Sequence, residues 1–271
     1  MKADLLVTND DGYRSVGLTS LVRELKKLGR LAVVVPEQPR SAAGLSITLH
    51  KPIRARRSLI SGVPSYLISG TTGDCVFMAL HYLLDKPPKV AVSGINVGEN
   101  VSLMEFFMSG TVAGAIAAAL HGIPSVAFSK RVESRDILFV DNVRPGFNLA
   151  ARIASSIVSM ILEEGLPKGV DLLNVNFPER ITKETEVRVT KLAKLSIRSK
   201  VIARSDPRGR PYYWIWGEKF ESFPEESDAH AVLREGSISI TPISLSSLSS
   251  DLSSVKEACS KLRQILAEEL G

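Results

Sequence analysis

Two adjacent carboxylates, Asp10 and Asp11, follow an amide, Asn9, and precede Gly12 at the end of the apolar run Leu5-Leu6-Val7-Thr8. Within a strand, successive side chains point to opposite faces, so neighbouring carboxylates converge only where the chain leaves the sheet and turns. Gly12 makes such a turn easy. Carboxylates held together at the end of a buried strand call for a compensating cation, and all-oxygen ligands select Mg²⁺, Mn²⁺ or Ca²⁺. A solvated Asn-Asp-Asp-Gly turn would carry the same residues without that chemistry.

Two further polar loops follow strand-like segments. Arg40-Ser41-Ala42-Ala43-Gly44 comes after the apolar residues 31–35, and Ser93-Gly94-Ile95-Asn96-Val97-Gly98-Glu99-Asn100 closes the strand expected at 89–93. In a parallel α/β sheet, ligands bind beyond the carboxyl ends of the strands, so these loops can meet Asn9, Asp10 and Asp11 at one edge. A fourth element is Ser109-Gly110-Thr111, which opens a helix of small residues at 112–119. Its free N–H groups, its dipole and the two hydroxyls favour an anion, although a plain helix cap uses the same residue types. A carboxylate-held cation beside a helix N-terminus describes phosphoryl chemistry.

Other signatures fail. Gly12-Tyr13-Arg14-Ser15-Val16-Gly17 lacks the glycine spacing of dinucleotide binding, and no triphosphate-binding glycine loop occurs. His50, His81, His121 and His230 show no metal-ligand spacing and read as structural or surface residues. Cys75 starts a helix beside Asp74 but is followed by Val76, Phe77 and Met78, which favours burial over reactivity.

The elements that must position these residues are legible from periodicity. Continuous apolar strands at 4–8, 31–35, 65–69, 89–93, 124–128 and 171–176 alternate with helical spacing at 18–28, 73–84, 111–121 and 146–164. That rhythm predicts a Rossmann-like, doubly wound α/β core with a mostly parallel sheet covered on both faces. After about residue 180 the rhythm changes. Val187-Arg188-Val189 and the segment 204–214 suggest an antiparallel hairpin or projecting arm, residues 237–241 a last strand, residues 244–254 a Ser-rich connection and 252–270 a C-terminal helix. The expected organisation is one catalytic α/β domain over 1–271, with a core at about 1–180 and an extension at about 181–271.

The chain has 271 residues, 44% hydrophobic and 23% charged, with a formal charge of +5, which suits a large buried core and excludes a disordered chain. Cys75 and Cys259, far apart in an otherwise apolar helical context, suit buried thiols in a reducing cytoplasm better than a disulfide framework. With no apolar run of 18 residues and no secretory signal, the expectation is a cytoplasmic protein without a membrane partner.

Taken together, Thr8-Asn9-Asp10-Asp11-Gly12, Val35-Pro36 with Arg40-Ser41, Gly70-Thr71 with Asp74-Cys75-Val76, Ser93 to Asn100, Ser109-Gly110-Thr111-Val112 and Gly236 to Pro242 resemble the SurE survival-protein family of nucleotidases. The resemblance implies metal-dependent hydrolysis of nucleoside 5′- and 3′-monophosphates, and of short polyphosphate. It implies one divalent ion per subunit, Mg²⁺ or Mn²⁺, bound by Asp10, Asp11, Ser41 and Asn96, with Asp10, Asp11 and Asn96 catalytic. Asn9, Gly44, Asn100, Ser109, Gly110 and Thr111 would surround the phosphate. It also implies a homodimer or homotetramer through the hairpin and C-terminal helix.

Two other classes compete. Arg204, Arg208 and Arg210 interleaved with Tyr212, Tyr213 and Trp214 could bind a single-stranded nucleic acid, although an oligomer interface explains them better. A metal-dependent hydrolase or transferase of another class could occupy the same core.

Overall fold

The computed structural model describes residues 1–132, 144–220 and 222–248. Its first strand, β1 (Leu5–Thr8), runs through helix α1 (Val16–Leu25) to β2 (Leu31–Pro36). A hairpin follows, β3 (Ala55–Ile60) and β4 (Val63–Ile68). Only β4 was visible in the apolar pattern, because Ala55, Arg56 and Arg57 of β3 are exposed. Helix α2 (Thr72–Met78) passes into a π-helical turn, Ala79–Leu83, and leads to β5 (Val90–Val97). Helices α3 (Ser102–Met108) and α4 (Gly110–Ala119) precede β6 (Ser125–Lys130), and α5 (Arg144–Glu164) precedes β7 (Leu172–Phe177). Strands β8 (Val187–Val189), β9 (Ile197–Ser205), β10 (Pro211–Lys219) and β11 (Ile238–Ile243) follow.

Among the described residues, nine strands form one sheet in the order β3-β4-β2-β1-β5-β6-β7-β11-β8. The six strands from β4 to β7 in that order run parallel, while β3 and β11 run antiparallel to β4 and β7. Alternation along β1 divides the core. Leu5 and Val7 join Leu18, Leu21, Val22 and Leu25 of α1 and Phe147, Ala150 and Ala154 of α5, whereas Leu6 joins Cys75 and Val76 of α2 and Ala117 and Ala118 of α4. The expected doubly wound α/β core is therefore present. β1 lies where the strand order reverses, the switch point at which such sheets bind ligands.

The hairpin or projecting arm expected from 187–189 and 204–214 forms around the second segment alone. β8 instead adds to the main sheet beside β11, and β9 pairs with β10, with Tyr213 opposite Ala203. The Asp206 carboxylate accepts hydrogen bonds from the N–H groups of Arg208 and Arg210, closing β9 onto β10 and leaving β8 to find another partner. The Ser-rich connection is described to Leu248, and the helix expected at 252–270 lies outside the described residues. Among the described residues, no single helix is long and apolar enough to cross a membrane.

Close helix approach depends on glycine, most directly at Gly17 and Gly114 on the two faces of the sheet. A Cβ on Gly17 in α1 would lie 1.8 Å from the carbonyl oxygen of Ile95 in β5, and one on Gly114 in α4 would lie 2.8 Å from Oγ of Ser93. Neither position tolerates a methyl group without movement of the sheet or helix. Gly17→Ala is therefore expected to lower the melting temperature by roughly 4–10 °C through overpacking. The control Gly29→Ala, whose Cβ would meet Asp4 at an ordinary 3.4 Å, should shift it by about 2 °C or less. Scanning calorimetry of the two variants checks the difference.

Candidate active site

Where β1 ends, Asn9 turns inward and is fully buried. Its Nδ2 donates to the Gly12 carbonyl at 3.0 Å, and its Oδ1 has no hydrogen-bond partner among the described residues. Asp10, 3% exposed, points at the start of α4. Its carboxylate accepts a hydrogen bond from the Thr111 hydroxyl, and a Cβ on Gly110 would lie 2.7 Å from its Oδ2. Glycine at that position thus lets the carboxylate reach the helix end. Burial pushes the Asp10 carboxyl above its ordinary range, and the Thr111 hydroxyl with the N–H groups of Thr111 and Gly110 acts in the opposite direction.

Asp11 diverges toward the end of β5, where its Oδ2 accepts from the Val97 N–H at 3.0 Å. The neighbouring Asn96 donates through Nδ2 to the Gly98 carbonyl at 2.8 Å. The loop after β2 is tied in twice. Arg40 N–H donates to the Asp10 carbonyl at 2.7 Å, and Gly44 N–H donates to the Met108 carbonyl at 3.0 Å. Ser41 stands exposed between these two anchors. Gly44 adopts φ +55°, and a Cβ there would sit 2.9 Å from the Phe107 carbonyl, so the loop lies tightly against the end of α3.

The predicted phosphate-side residues divide by what they touch. Ser109 caps α4, its Oγ accepting from Val112 N–H at 3.1 Å, which leaves its own hydroxyl proton available to donate. The Thr111 hydroxyl is directed to Asp10, so Thr111 faces the carboxylate. Asn100 forms part of the wall. Its Nδ2 donates to Ser129 Oγ, its N–H donates to Asn176 Oδ1, and its carbonyl accepts from the amides of Asn174 and Asn176.

Several supporting residues lay outside the sequence-based site. Asn174 and Asn176 alternate with Val175 in a buried strand, and that period of two could have marked them as one polar face. Thr72 donates to the Asn9 carbonyl at 3.3 Å. Asp74 completes the capping box of Thr71 at the start of α2 and also accepts from the N–H and hydroxyl of Thr48, anchoring the end of the loop after β2. Buried Asp228 accepts from the N–H groups of Ser102, Ala193 and Ala229, fixing the start of α3. Cys75 is buried as expected, and burial together with Asp74 pushes its thiol well up, away from thiolate reactivity.

The donor set suits a hard divalent cation. Among the described residues, no group of three or more His, Cys, Asp and Glu side chains gathers, so the polar ends of the strands offer oxygens rather than a thiolate or imidazole cage. Asn96 directs its NH₂ group to the Gly98 carbonyl, which leaves its amide oxygen for another partner. With the carboxylates of Asp10 and Asp11 it makes an oxygen donor set of the kind that could hold a hard divalent cation.

Residues 5–199 match the family model described as Survival protein SurE. The chain is 44% identical over 267 residues to a Thermofilum pendens protein named 5′-nucleotidase SurE, covering 98% of this chain and 99% of that one. It is 45% identical over 242 residues to the protein of the same name from Thermococcus kodakarensis, covering 89% and 92%. The crystal structure of the SurE protein from Aquifex aeolicus is similar with a TM-score of 0.77 and 34% identity, covering 96% of this chain and 99% of that chain.

Beside Ser129 in this wall, Lys130 is 4% exposed, and its Nζ donates to the carbonyls of Arg131, Pro178 and Glu179. Burial lowers its pKa from 10.5 to about 8, with Glu179 opposing the shift. The folded protein then releases this proton before the unfolded chain does, so stability rises with pH between the two values. Urea denaturation across pH is expected to show the parent gaining stability relative to Lys130→Met as pH climbs from about 8 to 10.5, with a constant difference below that window. A flat or falling difference across the window would show that burial does not destabilise the charge.

Proposed function

Because the chain belongs to the SurE survival-protein family, we propose that it is a metal-dependent 5′-nucleotidase that also accepts nucleoside 3′-monophosphates and short polyphosphate. The carrying observation is the buried Asp10 carboxylate at the N-terminus of α4, with Asp11 beside it at the end of β5. Asp10, Asp11, Asn96 and the Ser41 hydroxyl are the residues that would hold one Mg²⁺ or Mn²⁺ per subunit. When bound, the cation supplies Lewis-acid polarisation of a phosphoryl oxygen and offsets the charge of the transition state.

The chain's own groups carry the rest. Thr111 and the N–H groups of α4 aim the Asp10 carboxylate and oppose the upward push of burial on its pKa, while the Ser109 hydroxyl donates to a phosphoryl oxygen as negative charge grows on it. Asn9 and Gly44 border the phosphate, and Asn174 and Asn176 hold Asn100 in place in the facing wall. Water is the attacking group in this reading, since both carboxylates already have other partners. An aspartyl-phosphate route would require Asp10 to leave Thr111.

The hairpin of β9 and β10 supports assembly into a homodimer or homotetramer, together with the C-terminal segment. Val201, Tyr213, Trp214 and Ile215 project from it exposed, Ile215 by 83%, which is the composition of an interface rather than of a solvated edge.

Release of inorganic phosphate from a panel of nucleoside monophosphates, with and without chelator, tests the reaction. Activity should require added divalent cation and should be lost in Asp10→Asn and in Asp11→Asn, with melting curves showing a folded protein. Full activity in chelator-treated enzyme would overturn the metal mechanism, and retained activity in both variants would overturn the ligand assignment.

The two hydroxyls of α4 should separate experimentally. Ser109→Ala should cost about 1 kcal/mol of stability as a lost cap. It should also slow turnover about a hundredfold as a lost oxyanion donor. Thr111→Val should act mainly by raising the cation concentration needed for half-maximal rate. Metal titrations of steady-state rate distinguish the two, and equal effects of both variants on metal requirement would sink the division of roles.

A further inference from the structure

Two histidines 40 positions apart meet on the surface. His81 lies in the π-helical turn after α2, and His121 lies just beyond α4. Their Nε2 atoms are 3.1 Å apart, both side chains are exposed, and the Phe77 ring packs on both, with centroids 5.5 Å and 5.2 Å away. Helices α2 and α4 begin beside Asn9 and Asp10, through Thr72 and Thr111. The histidines therefore sit at the far ends of the two helices, and the ten residues of α4 span about 15 Å.

Hydrogen bonding sets the protonation of the pair. Nδ1 of His121 lies 2.8 Å from the Ala117 carbonyl, which only accepts, so Nδ1 carries the ring proton. The neutral ring then presents Nε2 as a lone pair directed at His81. A single proton on His81 can fill that gap, but the spacing also suits chelation. Two metal–nitrogen bonds of about 2.0–2.1 Å put the nitrogens about 2.9 Å apart at a right angle and about 3.3 Å apart at the tetrahedral angle. The observed separation falls between these limits. The Nδ1–carbonyl bond is also the outer contact that orients metal-binding imidazoles.

We propose that His81 and His121 form a second metal site, a surface chelate for a borderline divalent cation such as Zn²⁺, Ni²⁺ or Cu²⁺. Imidazole selects these ions over Mg²⁺ and Mn²⁺, so the site differs in chemistry as well as position from the oxygen-lined one. On binding, His81 keeps its proton on Nδ1 and both rings coordinate through Nε2, with solvent filling the remaining positions. The ion joins the end of α2 to the end of α4, and because it binds the folded form it raises thermal stability.

Zn²⁺ titration by calorimetry in saturating Mg²⁺ tests this with the parent, His81→Gln, His121→Gln and the double variant. The parent should bind one more equivalent of Zn²⁺ than the double variant. Each single variant should weaken that equivalent by about a hundredfold, because the second imidazole binds intramolecularly once the first is engaged. Zn²⁺ should raise the melting temperature of the parent and leave that of the double variant unchanged, while Mg²⁺-dependent phosphate release stays equal in both. Equal Zn²⁺ stoichiometry and equal thermal shift in parent and double variant would overturn the site and leave a proton-sharing pair. A Zn²⁺ equivalent lost only in Asp10→Asn or Asp11→Asn would overturn it as well.

Discussion

The burial of the Asp10 carboxylate against the first turn of α4 constrains everything around it. A carboxylate with so little exposure is costly unless donors are aimed at it, and here they come from one helix end: the Thr111 hydroxyl and the N–H groups of Gly110 and Thr111. The helix end can only be that close if residue 110 has no side chain, and α4 can only lie that flat on the sheet if residue 114 has none. The small-residue composition of α4 is therefore a packing requirement of the carboxylate site rather than a general helix preference. Ser93 in β5, which meets Gly114, is drawn into the same arrangement.

The loops that line the site are held by buried polar side chains whose partners are mostly backbone groups. Asp74 anchors Thr48, Asp228 anchors Ser102, Ala193 and Ala229, and the Asn174 and Asn176 amides anchor Asn100. Each such contact satisfies loop N–H or C=O groups that have no ladder of their own. The proposed cation site would benefit from that rigidity, because loops fixed by hydrogen bonds hold their oxygens in place before an ion arrives.

Much of the architecture was legible in the chain. Apolar runs of strand length separated by helical spacing identified the parallel core, and Asn9-Asp10-Asp11-Gly12, Ser109-Gly110-Thr111 and the loop at 93–100 marked the strand ends where chemistry collects. β3 was missed because an exposed strand with Arg56 and Arg57 carries no apolar signature, and the place of β8 in the main sheet was not legible because three alternating residues do not specify a partner. The direction of the Thr111 hydroxyl was equally invisible, since a cap, a phosphate ligand and a carboxylate partner all require the same residue.

What the sequence by itself determined is local: the period of two or 3.6 in its apolar residues, the turns forced by its glycines, and the residue types at each strand end. These follow from backbone geometry over a few neighbours. Only the tertiary structure decided the pairings of Asp10 with Thr111, 101 positions away, of Ser102 with Asp228, 126 positions away, and of His81 with His121. Those contacts depend on strand order and on how closely each helix approaches the sheet. Both are set by the packing of the whole core, so no local pattern carries them.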